Sequence, residues 1–213
     1  MTKVYFISGL GADKRVFSFL DLSFCEPVYI HWIKPDKKDT LRDYALRLRR
    51  GIPEINPIIV GISLGGMLVT EMANADNNIK GIIISSNKTH NEFPVHLRIG
   101  KYLPLYKWSP NFILKRIMLS NTWILGGIRN EQKKLLHQIV KESDIEFVKW
   151  AIRAILYWKN TVIPANIIHI HGTADKLLPY SRVKADYTIP EGTHVMTMDN
   201  PGEISDLLKK LIP

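Results

Sequence analysis

Four short apolar runs constrain what this chain can fold into more than any other feature. Residues 3–8, 58–62, 80–85 and 167–171 are rich in Val and Ile, and several of them scarcely alternate between polar and apolar side chains. A strand with one wet face alternates; a strand covered on both faces does not. Weaker strand candidates lie at 28–33 and 186–189. Between these runs the period changes: Leu41, Tyr44, Ala45, Leu48 and Ile52 recur at helical spacing, with Thr40 and Asp43 placed as a capping box. A final helix is signed by Asn200 as N-cap, Pro201 at its first position and Glu203 closing a second box. Strands alternating with helices imply an α/β fold, a mostly parallel central sheet flanked by helices.

The alternation stops at residues 88–160. This stretch holds helical patterns at 132–142 and 144–158, the second opened by Ser143 and Glu146, and no convincing strand. It also holds Trp108, Trp123, Trp150, Trp158, Tyr102, Tyr106, Phe112 and Tyr157, which are expected as core rather than ligand contacts. Residues 1–87 and 161–213 thus form the core of one domain, and 88–160 a helical insertion expected to pack over one edge of the sheet. Charge follows the same partition. Of the formal net charge of +9, residues 87–160 carry 13 Lys/Arg against 5 Asp/Glu, and the rest of the chain 16 against 15. Such a surplus can attract an anionic substrate or nucleic acid; basic and aromatic residues at helical spacing fit solvated helix faces better than a nucleic-acid surface.

Composition limits the class further. One cysteine, Cys25, allows no intrachain disulfide. No apolar run approaches the roughly 18 residues that span a bilayer, and no basic stretch leads into a long apolar segment with a cleavage site. A cytoplasmic location is the expectation. There is no Cys/His cluster at metal-ligand spacing and no P-loop, so neither metal nor organic cofactor is expected.

The chemistry-bearing motif is Gly61-Ile62-Ser63-Leu64-Gly65-Gly66. It follows the apolar run at 57–60 and precedes Met67, Leu68, Glu71, Met72 and Ala75 at helical spacing. A serine at the top of so tight a turn sits in strained backbone, and bulky residues two before and two after it would clash. The following helix aims its first amides at any developing negative charge. This is the strand–turn–helix context of a G-x-S-x-G elbow.

Three further segments occur with it in order: Ile7-Ser8-Gly9-Leu10-Gly11-Ala12-Asp13, then His171-Gly172-Thr173-Ala174-Asp175-Lys176-Leu177-Leu178-Pro179, then Gly192-Thr193-His194. Together they resemble the α/β-hydrolase superfamily, in a compact esterase-like form that begins at the strand before the oxyanion loop. The resemblance covers the chain apart from 88–160, which would correspond to the family's variable lid. It implies a Ser63–His194–Asp175 triad and an oxyanion hole made by the backbone N–H groups of Leu10 and Leu64. Serine needs a neighbouring base, and of seven histidines His194 lies in a loop after the last candidate strand, with His90 and His96 as alternatives. Asp175 follows the strand at 167–171 by a short turn; Asp199 competes but is explained more simply as a cap. His171 is expected to be structural. Two residues depart from the common pattern: Ser8 stands where many relatives have histidine, leaving the support of the first loop open, and Ile62 likewise replaces histidine.

The resemblance implies a serine hydrolase that cleaves a small carboxylic ester or thioester through an acyl-enzyme, with an acyl compound as its small-molecule partner. A non-hydrolytic protein of the same fold, a carbon–carbon lyase or a ligand-binding module, is the alternative, because fold does not determine function.

Overall fold

The computed structural model describes residues 1–95, 97, 102, 109–120, 126 and 130–213. Six strands, β1 (Thr2–Ile7), β2 (Cys25–Tyr29), β3 (Ile58–Ile62), β4 (Lys80–Ile84), β5 (Ile167–Gly172) and β6 (Tyr187–Ile189), make one sheet in the order β2-β1-β3-β4-β5-β6. Every adjacent pair runs parallel. The described α-helices are α1 (Leu41–Arg49), α2 (Leu64–Ala75), α3 (Asn111–Ser120), α4 (Asn130–Glu142), α5 (Ile145–Leu156), α6 (Met196–Asp199) and α7 (Pro201–Leu211). The chain moves outward from β1 to the edge strand β2, then crosses back to place β3 on the other side of β1. That reversal opens a crevice at the carboxyl ends of β1 and β3, where sheets of this kind place their ligands.

Alternation along each strand divides the interior in two. Tyr5, Ile7, Ile59 and Ile83 face one core with α1, α2 and α5. Val4, Phe6, Val60, Ile82 and Ile170 face the other, closed by α7. Helix α2 is buried from Leu64 through Ala73; its two polar side chains in that span are satisfied, Thr70 by Gly66 O and Glu71 by Arg42 and the Trp158 N–H. The Thr40–Asp43 capping box forms at the start of α1.

Four expectations change. The second strand runs over Cys25–Tyr29 rather than 28–33. Pro27 is tolerated because β2 is an edge strand, and the Tyr44 hydroxyl takes both the N–H and the C=O of Ile33, drawing that residue out of the ladder. Helix α5 is capped by Asp144, whose carboxylate accepts from Glu146 and Phe147 N–H; Ser143 instead bonds back to Val140 O, and the helix ends at Leu156. The box at Asn200 does not form, since α6 runs directly into α7 and Met196 O already takes the Asn200 N–H. The insertion does not stay at one edge: Phe147, Trp150 and Ala154 of α5 enter the first core, whereas Ile139 of α4 enters the second.

Of the insertion's aromatics, Trp150 and Trp158 are buried, whereas Tyr102, Phe112 and Tyr157 are exposed, contrary to expectation. Trp108, Trp123, Tyr106 and His96 lie outside the described residues. Among the described residues no helix is long and apolar enough to cross a membrane.

Candidate active site

Ser63 joins β3 to α2 with φ 51° and ψ −115°, a left-handed conformation that costs a non-glycine residue of order 1–3 kcal/mol unless its surroundings enforce it. Here they do. Ser63 N–H donates to Ile84 O at 3.0 Å, and Ser63 O accepts from the buried Ser86 hydroxyl at 2.6 Å. Gly65 is required by close approach: a Cβ there would run into the carbonyl oxygens of Ile7 and Ser8. The end of β1 and the first turn of α2 are therefore in direct backbone contact, with Ser63 held at the mouth of the crevice.

The loops after β5 and β6 meet in the same manner. A Cβ on Gly172 would collide with the Gly192 backbone, and Ala174 N–H donates to Gly192 O at 3.0 Å. This contact carries Asp175 to His194. Asp175 Oδ1 accepts from Leu177 N–H at 2.9 Å and Leu178 N–H at 2.8 Å, leaving Oδ2 to accept from His194 Nδ1 at 2.8 Å. With its proton on Nδ1, neutral His194 presents a bare Nε2, which lies 3.0 Å from Ser63 Oγ. Asp175 and His194 are both buried, and Ser63 is partly exposed. Burial pushes the Asp175 carboxyl up, but His194 and the Leu178 N–H outweigh it and hold the group below the usual carboxylate value of 3.8.

The competing residues are placed elsewhere. His90 Nδ1 contacts Asn160 O at 3.0 Å. Asp199 accepts from the Thr193 hydroxyl. His171 is fully buried on β5, its Nε2 donating to Leu178 O at 2.8 Å.

The first loop passes beside Ser63: a Cβ built on Gly9 would sit 3.4 Å from Ser63 Cβ. Among the described residues, neither Leu10 N–H nor Leu64 N–H donates a hydrogen bond. The support that Ser8 left open comes from two donors to one acceptor. Ser8 Oγ reaches Ala12 O at 3.0 Å and Trp32 Nε1 reaches it at 2.9 Å, while Ala12 N–H closes the turn onto Gly9 O at 3.1 Å. Trp32 and Ser86 were not anticipated. Each acts on a backbone carbonyl twenty or more residues away, and nothing local in sequence signals that.

Two cavities do not include the three side chains of the site. One of about 300 Å³ is lined by Gly11, Ala12, Trp32, Ser143 and Phe147, among others. The other, about 690 Å³, is an open groove between α1 and α5 lined by the basic Lys38, Arg42, Arg153 and Lys159 and the acidic Asp39 and Glu71. No set of three or more His, Cys, Asp or Glu among the described residues is arranged to hold a metal ion.

No family model matches the sequence, and a search of curated proteins returned no match. Solved structures do match. A thermophilic esterase from Thermogutta terrifontis with malate bound superposes with a TM-score of 0.74 at 14% identity, over 100% of this chain and 89% of that one. A hydrolase from Pseudomonas aeruginosa PA01 gives 0.74 at 12%, over 100% and 90%. The enol-lactonase from Burkholderia xenovorans LB400 gives 0.73 at 11%, over 99% and 91%. With its all-parallel sheet and flanking helices, the chain has the α/β-hydrolase fold.

Proposed function

We propose that this protein is a serine hydrolase that cleaves a small carboxylic ester, lactone or thioester through a covalent acyl-enzyme. The observation that carries this is the unbroken chain from Ser63 Oγ to His194 Nε2 and from His194 Nδ1 to Asp175 Oδ2, at 3.0 and 2.8 Å. An idle serine needs neither strained backbone nor a buried imidazole aimed at its hydroxyl.

Each step uses groups already in place. Ser63 Oγ attacks the carbonyl carbon while His194 Nε2 takes the hydroxyl proton; Asp175 holds the imidazole by Nδ1 and stabilises its positive charge. The oxyanion is assigned to the backbone N–H of Leu64, next in the chain after Ser63, and to that of Leu10, next in the chain after Gly9, which lies against Ser63; each donor of this kind contributes about 2.7–4 kcal/mol. The tetrahedral species collapses, and the leaving alcohol or thiol departs with the proton from His194. Water then attacks the acyl group, His194 again accepting and returning a proton, and Ser63 is released with a carboxylic acid.

The insertion is proposed as a cap that shapes the substrate pocket. It approaches both loops that flank Ser63: a Cβ on Gly11 would meet the Met118 and Val148 side chains, and one built on the Gly126 backbone would meet Thr193, next to His194. The esterases and the enol-lactonase that share the fold support the choice of ester and lactone as substrate class.

Hydrolysis of p-nitrophenyl acetate tests the proposal. The native protein is expected to release p-nitrophenolate, and Ser63→Ala to lower kcat by about 10⁴-fold or more. Equal rates for the two proteins would end it.

A further inference from the structure

His169 and His171 lie two residues apart on β5, so both rings fall on one face of the sheet. Both are fully buried. Their rings meet edge-on, centroids 5.0 Å apart, with His169 Nε2 3.0 Å from His171 Nδ1. The protons on this pair follow from what each nitrogen faces. Leu178 O can only accept, so His171 Nε2 carries hydrogen. In the neutral ring Nδ1 is then bare, and His169 Nε2 must donate to it. The chain continues past His171, because the same Leu178 whose carbonyl it binds donates its N–H to Asp175 Oδ1. His171 Nε2 also stands 3.5 Å from Asp175 Oδ2, the oxygen that holds His194.

We propose that His169 is a positioning residue for this site: its donation to His171 Nδ1 keeps His171 neutral and bonded to Leu178, which reserves the Asp175 carboxylate for His194. A second proton on His171 would have to sit on Nδ1, where it would meet the N–H of His169; to give way, His169 would have to move its proton to Nδ1, a buried nitrogen with no hydrogen-bond partner. Without His169 that obstacle disappears, and a protonated His171 at 3.5 Å would share the charge on which His194 depends. The inference rests on the triad proposed above and adds a function for two buried groups that the reaction itself does not use.

The surroundings favour neutral rings. Burial first, then His171 and Lys88, hold His169 well below the usual histidine value of 6.5. Burial also lowers His171, opposed by its bond to Leu178 and by Asp175, and aided by His194. Around the pair, the backbone groups of Ser86 and Lys184 oppose the lowering of His169, whose Nδ1 is buried with no hydrogen-bond partner; Asp186 accepts the backbone N–H of His169 at 2.8 Å, and the Tyr180 ring lies 6.4 Å from His171.

The test combines imidazole ¹⁵N spectra with pH profiles of kcat for the native protein, His169→Leu and His169→Gln. Native His171 is expected to remain the neutral Nε2–H tautomer from pH 8 to pH 6. In His169→Leu it becomes an imidazolium as the pH falls, and kcat relative to native drops by about tenfold at pH 6, little at pH 8, with KM unchanged. Glutamine keeps an N–H at similar reach and restores the native profile. An imidazolium or Nδ1–H tautomer in native His171 overturns the proposal, and it does so even if the leucine variant fails to fold. A loss equal at every pH, no loss, or a glutamine variant that behaves like leucine also overturns it. The spectra need no substrate, so they separate failure of this relay from failure of hydrolysis at Ser63.

Discussion

The turn that presents Ser63 and the loop that presents Asp175 share a close backbone contact but differ in what is added to it. At Ser63 the constraint is backbone against backbone: β1, β3 and α2 touch through Gly65, and the strained φ is enforced by bonds to Ile84 and Ser86. At Asp175 the backbone contact of Gly172 with Gly192 is joined by a relay from the β5 histidine side chains through the Leu178 backbone to the carboxylate. Backbone crowding tolerates almost no substitution and leaves a motif in the sequence. A side-chain relay can be weakened one bond at a time and leaves only scattered polar residues.

Four substitutions or titrations would break or sharpen this contrast. The largest effect is expected at Asp175. Asp175→Asn removes the acceptor that fixes the His194 tautomer, and kcat for p-nitrophenyl acetate should fall by about 10⁴-fold with the fold intact; a loss under tenfold would show that Asp175 does not hold the base. Next is Gly65→Ala, whose methyl group meets two immovable carbonyls. It should cost about 3 kcal/mol in urea unfolding and most of the activity, and a variant as stable as the native protein would contradict the backbone contact described here. Trp32→Phe keeps an aromatic ring but loses the N–H to Ala12 O. Roughly 1 kcal/mol of loop support corresponds to a kcat about fivefold lower at similar KM, and unchanged kinetics would leave Ser8 as sufficient support.

The smallest effect is a slope. His169 and His171 have native values below the ordinary 6.5, so on acidification the unfolded chain takes up protons before the folded one does. Their contribution to stability is present above about pH 6.5 and is lost as the pH falls from there toward their native values. Between pH 7 and 5 the unfolding free energy of the native protein should therefore decline. In His169→Leu the decline should be shallower, because neither the missing ring nor His171, which then protonates in the folded protein, adds to it; each accounts for at most about 1.4 kcal/mol per pH unit. Identical slopes would mean that His169 is protonated in the folded protein.

The contrast between the two loops also explains what could be read from residues alone. Strands β1, β3, β4 and β5 were legible because burial on both faces writes an apolar run. The elbow was legible because only glycine fits beside Ser63. Asp175 and His194 were legible only through their order along the chain, since nothing local to either reveals the contact at Gly172 and Gly192. Strand β2 was misplaced because a proline on an edge and a tyrosine hydroxyl on Ile33 are tertiary facts. Trp32 and His169 went unremarked for the same reason: each works on a partner supplied by another part of the fold.

The most direct measurement of the central claim is intact-mass and peptide mapping after treatment with diethyl p-nitrophenyl phosphate. A hydroxyl activated by His194 should take one diethylphosphoryl group per chain, on Ser63, releasing one p-nitrophenolate, and His194→Ala should take none. An unmodified native chain, or an adduct mapped to a different residue, would contradict the account.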